Sequence, residues 1–283
     1  MKNFLIAITR SKSAMFGWVF LLLFVLMALL GPWIAPYDPV RMDLAHRMTA
    51  PELSLGAPGS HVFGTDQLGR DILSRLIAGS RVTLAVAALA VIVGGVVGVL
   101  VGLCAGYYGK WVDRVLMRLA DVQLSFPLML LAILIVAALG PSLPNLIMVL
   151  ALTTWVRYAR IVRGEVLSLR EREFVLAARA AGASSARIVL RHLLPNVMTA
   201  VLVVGTLELA RVIILESALS FLGLGVQPPS PSWGRMLADG RSYLESAWWL
   251  ATIPGLAILL TVLSVNLVGD WLRDHFDPRL VNR

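Results

Sequence analysis

The run VTLAVAALAVIVGGVVGVLVGLCAG, residues 82–106, holds no charged residue in 25 positions. About 20 apolar residues, wound as a helix, cross a hydrocarbon core roughly 30 Å thick. This stretch is therefore long enough to span a membrane, and it makes lipid the solvent in which the rest of the chain is read. Composition agrees. Of 283 residues, 58% are hydrophobic and only 15% charged, with a mean hydropathy of +0.80, against about 25% charged in a soluble domain.

Five further stretches qualify, near residues 14–35, 122–139, 143–162, 197–217 and 248–269. The expected fold class is all-α integral membrane with six transmembrane helices. Gly140-Pro141-Ser142 separates the third and fourth spans by a short turn, which predicts a helical hairpin. Lys2, Arg10 and Lys12 precede an apolar run from Ala14 that exceeds a signal-peptide h-region, and no A-x-A site follows, so it reads as an uncleaved first span.

Orientation follows from Lys and Arg placement, since cytoplasmic segments carry the excess. With the N-terminus inside, 17 of the 25 basic residues fall in inner segments, eight of them from Arg157 to Arg191, and seven in outer ones. Arg211 falls within the fifth span. This places both termini in the cytoplasm and explains the formal charge of +8 as topology. Nucleic-acid binding is not indicated, because no basic patch is interleaved with aromatics.

Several chemistries are unsupported. The single cysteine, Cys104, and four scattered histidines give no metal-ligand spacing. The three lysines (Lys2, Lys12, Lys110) include none in a G-x-x-x-x-G-K-[ST] loop, so the chain has no P-loop for ATP. No Ser/His/Asp grouping or H-E-x-x-H motif suggests an enzyme, and neither catalytic residue nor cofactor is expected.

Gly94, Gly98, Gly102 and Gly106 recur every four residues and so share one helix face. Small residues mark close helix packing in lipid, either within one subunit or between two. Glu208, Arg211 and Glu216 lie within or at the end of the fifth span. Intramembrane charges face the bundle interior or a watery path, and Glu208 and Arg211, three apart, can pair on one face. They are candidates for a translocation path or gate, or for a buried pair that fixes packing. Trp248 and Trp249 sit where an aromatic belt would.

The basic inner loop, 164–195, has the most specific pattern. Residues 172–181 are helix formers, and Gly182 suits a left-handed helix end. Ser184 can cap a second short helix, which Pro195 would stop before span five. Ala177, Ala178 and Ala181 give the first helix a small-residue face that another protein's surface could approach. The loop resembles the EAA loop of ABC importer permeases, which reads E-A-A, three residues, Gly, nine residues, I-x-L-P. Ala177, Ala178, Gly182, Leu194 and Pro195 match, while Leu176 replaces the Glu and His192 the Ile. The resemblance implies a coupling loop that docks into an ATPase subunit, with Glu173, Ala177, Ala178, Ala181, Gly182, Leu194 and Pro195 at the dock.

The likeness extends over nearly the whole chain. Gly64-Thr65-Asp66-Gln67-Leu68-Gly69-Arg70-Asp71 resembles the G-T-D-x-x-G-R-D signature of the dipeptide/oligopeptide/nickel branch. Gly64 and Gly69 permit positive φ, Thr65 or Asp66 can cap a helix through residues 72–81, and Arg70 and Asp71 can pair with neighbours. Residues 220–234, SFLGLGVQPPSPSWG, resemble another stretch of the branch, expected as a partly re-entrant outer segment, and 266–280 resemble its ending.

The resemblance implies a type I ABC importer transmembrane-domain fold, with residues 1–81 as an N-terminal span plus outer segment and 82–283 as a five-helix core. It implies a subunit forming half of a path for di- or oligopeptides across the bacterial cytoplasmic (inner) membrane. Nickel chelates, glutathione or another small solute are alternatives. The partners implied are a homologous permease, two ABC ATPase subunits that bind the ATP, an extracytoplasmic solute-binding protein, and the lipid bilayer. An ion-coupled secondary transporter using Glu208 and Glu216 is the remote alternative, and it leaves the 164–195 loop unexplained.

Overall fold

The computed structural model describes residues 11–52 and 60–276. Its elements are α1 (Lys12–Ile34), α2 (Ile72–Tyr108), α3 (Lys110–Leu124), α4 (Leu128–Leu139), α5 (Leu143–Leu169), α6 (Glu173–Ala180), α7 (Ser185–Ile188), α8 (Leu194–Phe221), α9 (Trp233–Gly240) and α10 (Trp249–Phe276). Among the described residues, five helices are long and apolar enough to span a membrane, and the α3–α4 pair makes a sixth if counted as one bent span.

The bend corrects the expectation of a straight third span at 122–139. α3 and α4 meet at 87° across Ser125-Phe126-Pro127. Proline drives the preceding residue out of helical geometry and has no N–H to continue the ladder. α4, with 12 residues, is about 18 Å long, too short to cross alone. α3 carries charge but is clipped to α5: Asp113 pairs with Arg163 (2.5 Å), Asp121 with Arg160 (2.7 Å), and the Gln123 carbonyl accepts from the Trp155 indole (2.7 Å).

α2 and α5 form the longest packed seam. The four-residue glycine row lies in it, so its role is packing within this chain. A Cβ on Gly98 would stand 2.3 Å from the Trp155 carbonyl oxygen and 2.5 Å from the Tyr158 Cβ. On Gly102 it would stand 2.7 Å from the Ala159 oxygen, and on Gly106 2.7 Å from the Val166 Cβ. With little hydrophobic drive between helices in lipid, this close backbone approach supplies the contact. α1 docks against α10 and α2, with Gly17 set against Leu267 and Gly31 against Ile77.

α2 runs unbroken from Ile72, so the boundary expected at 81/82 falls within a helix. Its cap is Asp71, which accepts from the Ser74 N–H at 2.7 Å, not Thr65 or Asp66. Asp66 is otherwise engaged, accepting from the backbone N–H groups of Leu68 (2.8 Å) and Arg70 (3.0 Å) and from two arginine side chains. The hairpin between α4 and α5 forms as the turn residues predict. Gly140 has φ +84°, Ser142 caps α5, and the Asn145 amide donates to the carbonyls of Leu139 and Gly140.

Pro195 does not stop the loop's second helix, a second correction. α7 continues through a π-turn at Val189–Leu193 into α8, the Leu194 N–H donating to the Val189 carbonyl. The wider turn accommodates the proline ring and its missing donor without ending the helix. Trp249 is buried, its indole N–H donating to the Thr65 carbonyl at 3.2 Å, so only Trp248 is exposed as a belt residue would be. Positions 277–280 of the expected C-terminal signature lie outside the described residues.

Candidate functional site

Three charged side chains meet deep in the bundle. Glu208 on α8 accepts from Arg157 Nη1 on α5 at 3.1 Å and from Arg211 Nη1 at 2.8 Å, one carboxylate oxygen to each. Arg157 lies 14 residues from the N-terminal end of α5 and Glu208 13 from the C-terminal end of α8, so both sit roughly 20 Å down their helices. That is well inside two helices apolar and long enough to span a membrane, where a charge must face protein or water. The Glu208 side chain is 2% exposed, Arg211 23% and Arg157 56%. The pairing expected within α8 is thus also a tie between helices, made by an arginine that the topology count places among loop charges. Arg157 falls inside the expected fourth span, and that position was the available signal.

Arg157 opens a polar stripe. From Arg157 to the C-terminal end of α5, the exposed positions are Arg157, Arg160, Ile161, Gly164, Glu165 and Ser168. On the N-terminal side of Arg157 the exposed side chains are apolar, including Met148 and Leu152. The exposed faces of α1 and α2 are apolar at comparable depth, for example Leu22, Leu26, Ile92 and Val96. One face of α5 is therefore unfit for lipid, and its polarity starts at the Glu208 cluster.

Glu216 is apart from this cluster. It is fully buried, accepting from the Ser220 hydroxyl at 2.7 Å. Ser220 in turn accepts from the Val226 N–H, and Ser232 caps α9 through the Arg235 N–H. These bonds fold the segment between α8 and α9 back onto the end of α8. Gly234 packs against Ser217, and Trp233, fully buried, donates its indole N–H to the Leu76 carbonyl (2.9 Å). The non-helical backbone at 222–232 is thus seated against protein, as irregular backbone near a membrane requires.

The signature at residues 64–71 forms an internal clasp. Asp66 binds Arg70 Nε (2.7 Å) and Arg75 Nη1 (2.5 Å), and Asp239 of α9 lies 3.9 and 3.8 Å from the same arginines. Thr65, Asp66, Arg70 and Asp71 are all buried. Gly64 and Gly69 have φ of +75° and +74°, and Gly69 lies against the Asp43 backbone. The His46 hydrogen bond holds the Asp43 carboxyl below its usual range. His61 Nδ1 lies 2.9 Å from Asp71 Oδ1. Arg75 and Asp239 complete the clasp, and no local motif marks Asp239, which is distant in sequence.

Between α5 and α8, α6 and α7 form an elbow. Gly182 takes φ +77°, its N–H donating to the Arg179 carbonyl and that of Ala183 to the Ala178 carbonyl. Ser184 caps α7. Val175, Ile188 and Leu193 bury the underside against Val162 and Val166, and Ala178 packs with them. Ala178 therefore leaves the exposed small-residue face expected of it. Glu173, Ala177, Ala181, Gly182 and Pro195 are exposed and Leu194 half-buried, beside exposed Phe174, Leu176 and Leu190. Arg170 fixes the elbow to α2 by donating to the Gly106 carbonyl at 3.0 Å. Among the described residues, no group of three or more His, Cys, Asp or Glu is placed to hold a metal ion.

Residues 98–282 match the family of binding-protein-dependent transport system inner membrane components. The chain belongs to that family. Residues 1–51 match the N-terminal TM domain of oligopeptide transport permease C. The di/tripeptide transport system permease protein DppC of Pseudomonas aeruginosa is 44% identical over all of this chain and 93% of its own length. The glutathione transport system permease protein GsiD of Escherichia coli is 43% identical over 96% of this chain and 88% of its own. The inward-facing MetNI methionine ABC transporter superposes with a TM-score of 0.56 at 21% identity, over 72% of this chain and 97% of the matched one. The fold is the type I transmembrane fold of ABC importers. In this family member, the matched region contains the bent pair, the polar face of α5, the elbow and the Glu208 cluster.

Proposed function

We propose that this chain is one permease subunit of an ATP-driven importer that carries di- and oligopeptides across the bacterial cytoplasmic membrane. The observation that carries the reading is the polar face of α5 in an otherwise apolar bundle. It is half of a lining, and it needs a second half. A homologous permease supplies that half, with the Glu208–Arg211–Arg157 cluster at mid-depth. Glu216 acts on the gate only indirectly, by holding the outer segment. The full-length likeness to a di/tripeptide permease favours peptides. The similar likeness to a glutathione permease favours, as a second reading, a peptide-like thiol.

The elbow at Glu173, Ala177, Ala181, Gly182, Leu194 and Pro195 docks one of two ATPase subunits, with exposed Phe174 and Leu176 adding apolar contact. Ala178 supports it from beneath. Both termini lie in the cytoplasm; moving Arg157 out of the inner count leaves the Lys/Arg bias intact. The chain performs no catalysis and binds no cofactor, and ATP is hydrolysed by its partners. An extracytoplasmic binding protein delivers solute to the outer face, where the Asp66 clasp holds the docking surface rigid.

Purification from the native membrane in mild detergent, followed by reconstitution, tests this. Recovery of a homologous permease and P-loop ATPases, with ATP-dependent uptake of labelled dipeptides once the binding protein is added, is the expected result. A chain that stays alone and transports on an ion gradient overturns it.

A further inference from the structure

We infer that Arg157 sets the charge preference of the path by taking a carboxylate of the peptide in transit; this rests on the peptide-import reading. Glu208 divides its two oxygens between Arg157 and Arg211, and Arg157 engages it through Nη1 alone. A guanidinium has five N–H donors, and those on Nε and Nη2 of Arg157 have no hydrogen-bond partner among the described residues. Among the described residues, no second carboxylate lies within ion-pair distance of it. The three side chains sum to one net positive charge. More than half of the Arg157 side chain is exposed, at a depth where an uncompensated cation is costly and on the face that is unfit for lipid.

The group that compensates a guanidinium best is a carboxylate, bound through two parallel N–H donors. A peptide brings at least one. Further along α5, Arg160 pairs with Asp121 and Arg163 with Asp113, one carboxylate to each arginine. Arg157 instead shares Glu208 with Arg211, so the uncompensated positive charge of the α5 arginines lies at Arg157, at the level where a cargo is midway across. Peptides with an additional carboxylate gain there, and peptides with an additional cation lose.

The test uses the complete importer in proteoliposomes, with its unaltered binding protein and three labelled dipeptides: one with an aspartyl residue, one neutral and one with a lysyl residue. Because the binding protein is the same throughout, its preferences cancel when each uptake ratio is compared between variant and wild type. Arg157→Gln leaves Glu208 paired with Arg211. The expected result is that the acidic-to-basic uptake ratio falls about tenfold in Arg157→Gln, the scale of one charge-assisted hydrogen bond. It inverts in Arg157→Glu and is largely kept in Arg157→Lys. An unchanged ratio in a transporting Arg157→Gln complex overturns the inference. So does loss of the second permease from Arg157→Gln but not from Arg157→Lys, because the missing partner is then a fixed carboxylate on that subunit. If wild-type importer carries none of the three peptides, the peptide reading itself fails, a result distinct from an unchanged ratio.

Discussion

Glu208 and Arg157 join α8 to α5 through a 3.1 Å ion pair between a buried carboxylate and a half-exposed guanidinium. The contact spans 51 residues of sequence and sits well inside two apolar spans, where an orphaned charge is expensive. Removing one partner of a buried pair costs more than the pair contributes, because the other charge is left unpaired. Glu208→Ala leaves Arg157 and Arg211 facing one another, and a loss of about 3 kcal/mol is expected, at the low end because Arg157 reaches solvent. Thermal unfolding in detergent reads this as a lowered Tm. Arg157→Met in the same chain should restore part of it by removing one orphan. No recovery in the double variant would show that Glu208 acts through contacts other than this pair.

The α2–α5 seam makes a sharper prediction. Gly98→Ala drives a methyl group into the Trp155 carbonyl and Tyr158, where it would stand 2.3 and 2.5 Å away. Backbone cannot yield there without separating the helices. Gly164→Ala meets nothing within 4 Å on the same α5 and gains about 1 kcal/mol of helix propensity. Folded yield and Tm should fall for the first and hold or rise for the second. Equal losses in both would mean that helix flexibility, not close packing, is what the glycines provide.

The fold was legible wherever a local rule decided it. Apolar length marked the spans, Gly140 and Ser142 marked the hairpin, and Gly182 and Ser184 marked the elbow. Three of the misses share one cause, a partner that no local rule sees. Asp66 is a good capping residue, yet Arg70 and Arg75 claim its carboxylate and leave the cap to Asp71. Asp113 and Asp121 mark α3 as polar, and only the positions of Arg163 and Arg160 on α5 show how that charge is held. Arg157 reads as a loop charge until Glu208 is seen beside it. Pro195 reads as a stop because the π-turn that absorbs it has no residue signature.

Gly182 tests the elbow. Its φ of +77° is strained for any residue with a Cβ, while the space around it is open. Backbone strain alone therefore separates substitutions. Gly182→Val is expected to lose ATP-driven uptake, with the ATPase subunits bound more weakly or hydrolysing without transport. Gly182→Asn, which tolerates the left-handed region, should keep most of it. Co-purification of the ATPases and uptake per ATP hydrolysed are the two readouts. Normal coupling in Gly182→Val would remove the elbow from the docking surface.

The Asp66 clasp is predicted to be structural. Asp66 is 3% exposed and is the nearest carboxylate to both Arg70 and Arg75, the Asp239 oxygen being almost 4 Å from each. Asp66→Ala leaves two buried guanidinium groups with only that distant partner, and it frees the N–H groups of Leu68 and Arg70. Breaking a buried pair in this way costs about 3–5 kcal/mol. Asp66→Asn keeps one acceptor for the backbone N–H groups but not the charge, and it should fall between Ala and wild type. Met48 and Thr65 are held to the bundle through this site and through the bond from Trp249 to Thr65. Added protease should therefore cut Asp66→Ala between α1 and α2 while α5 and α8 stay intact. Resistance equal to wild type would show that Asp239 alone can hold both arginines and that the signature acts instead on a partner at the outer face.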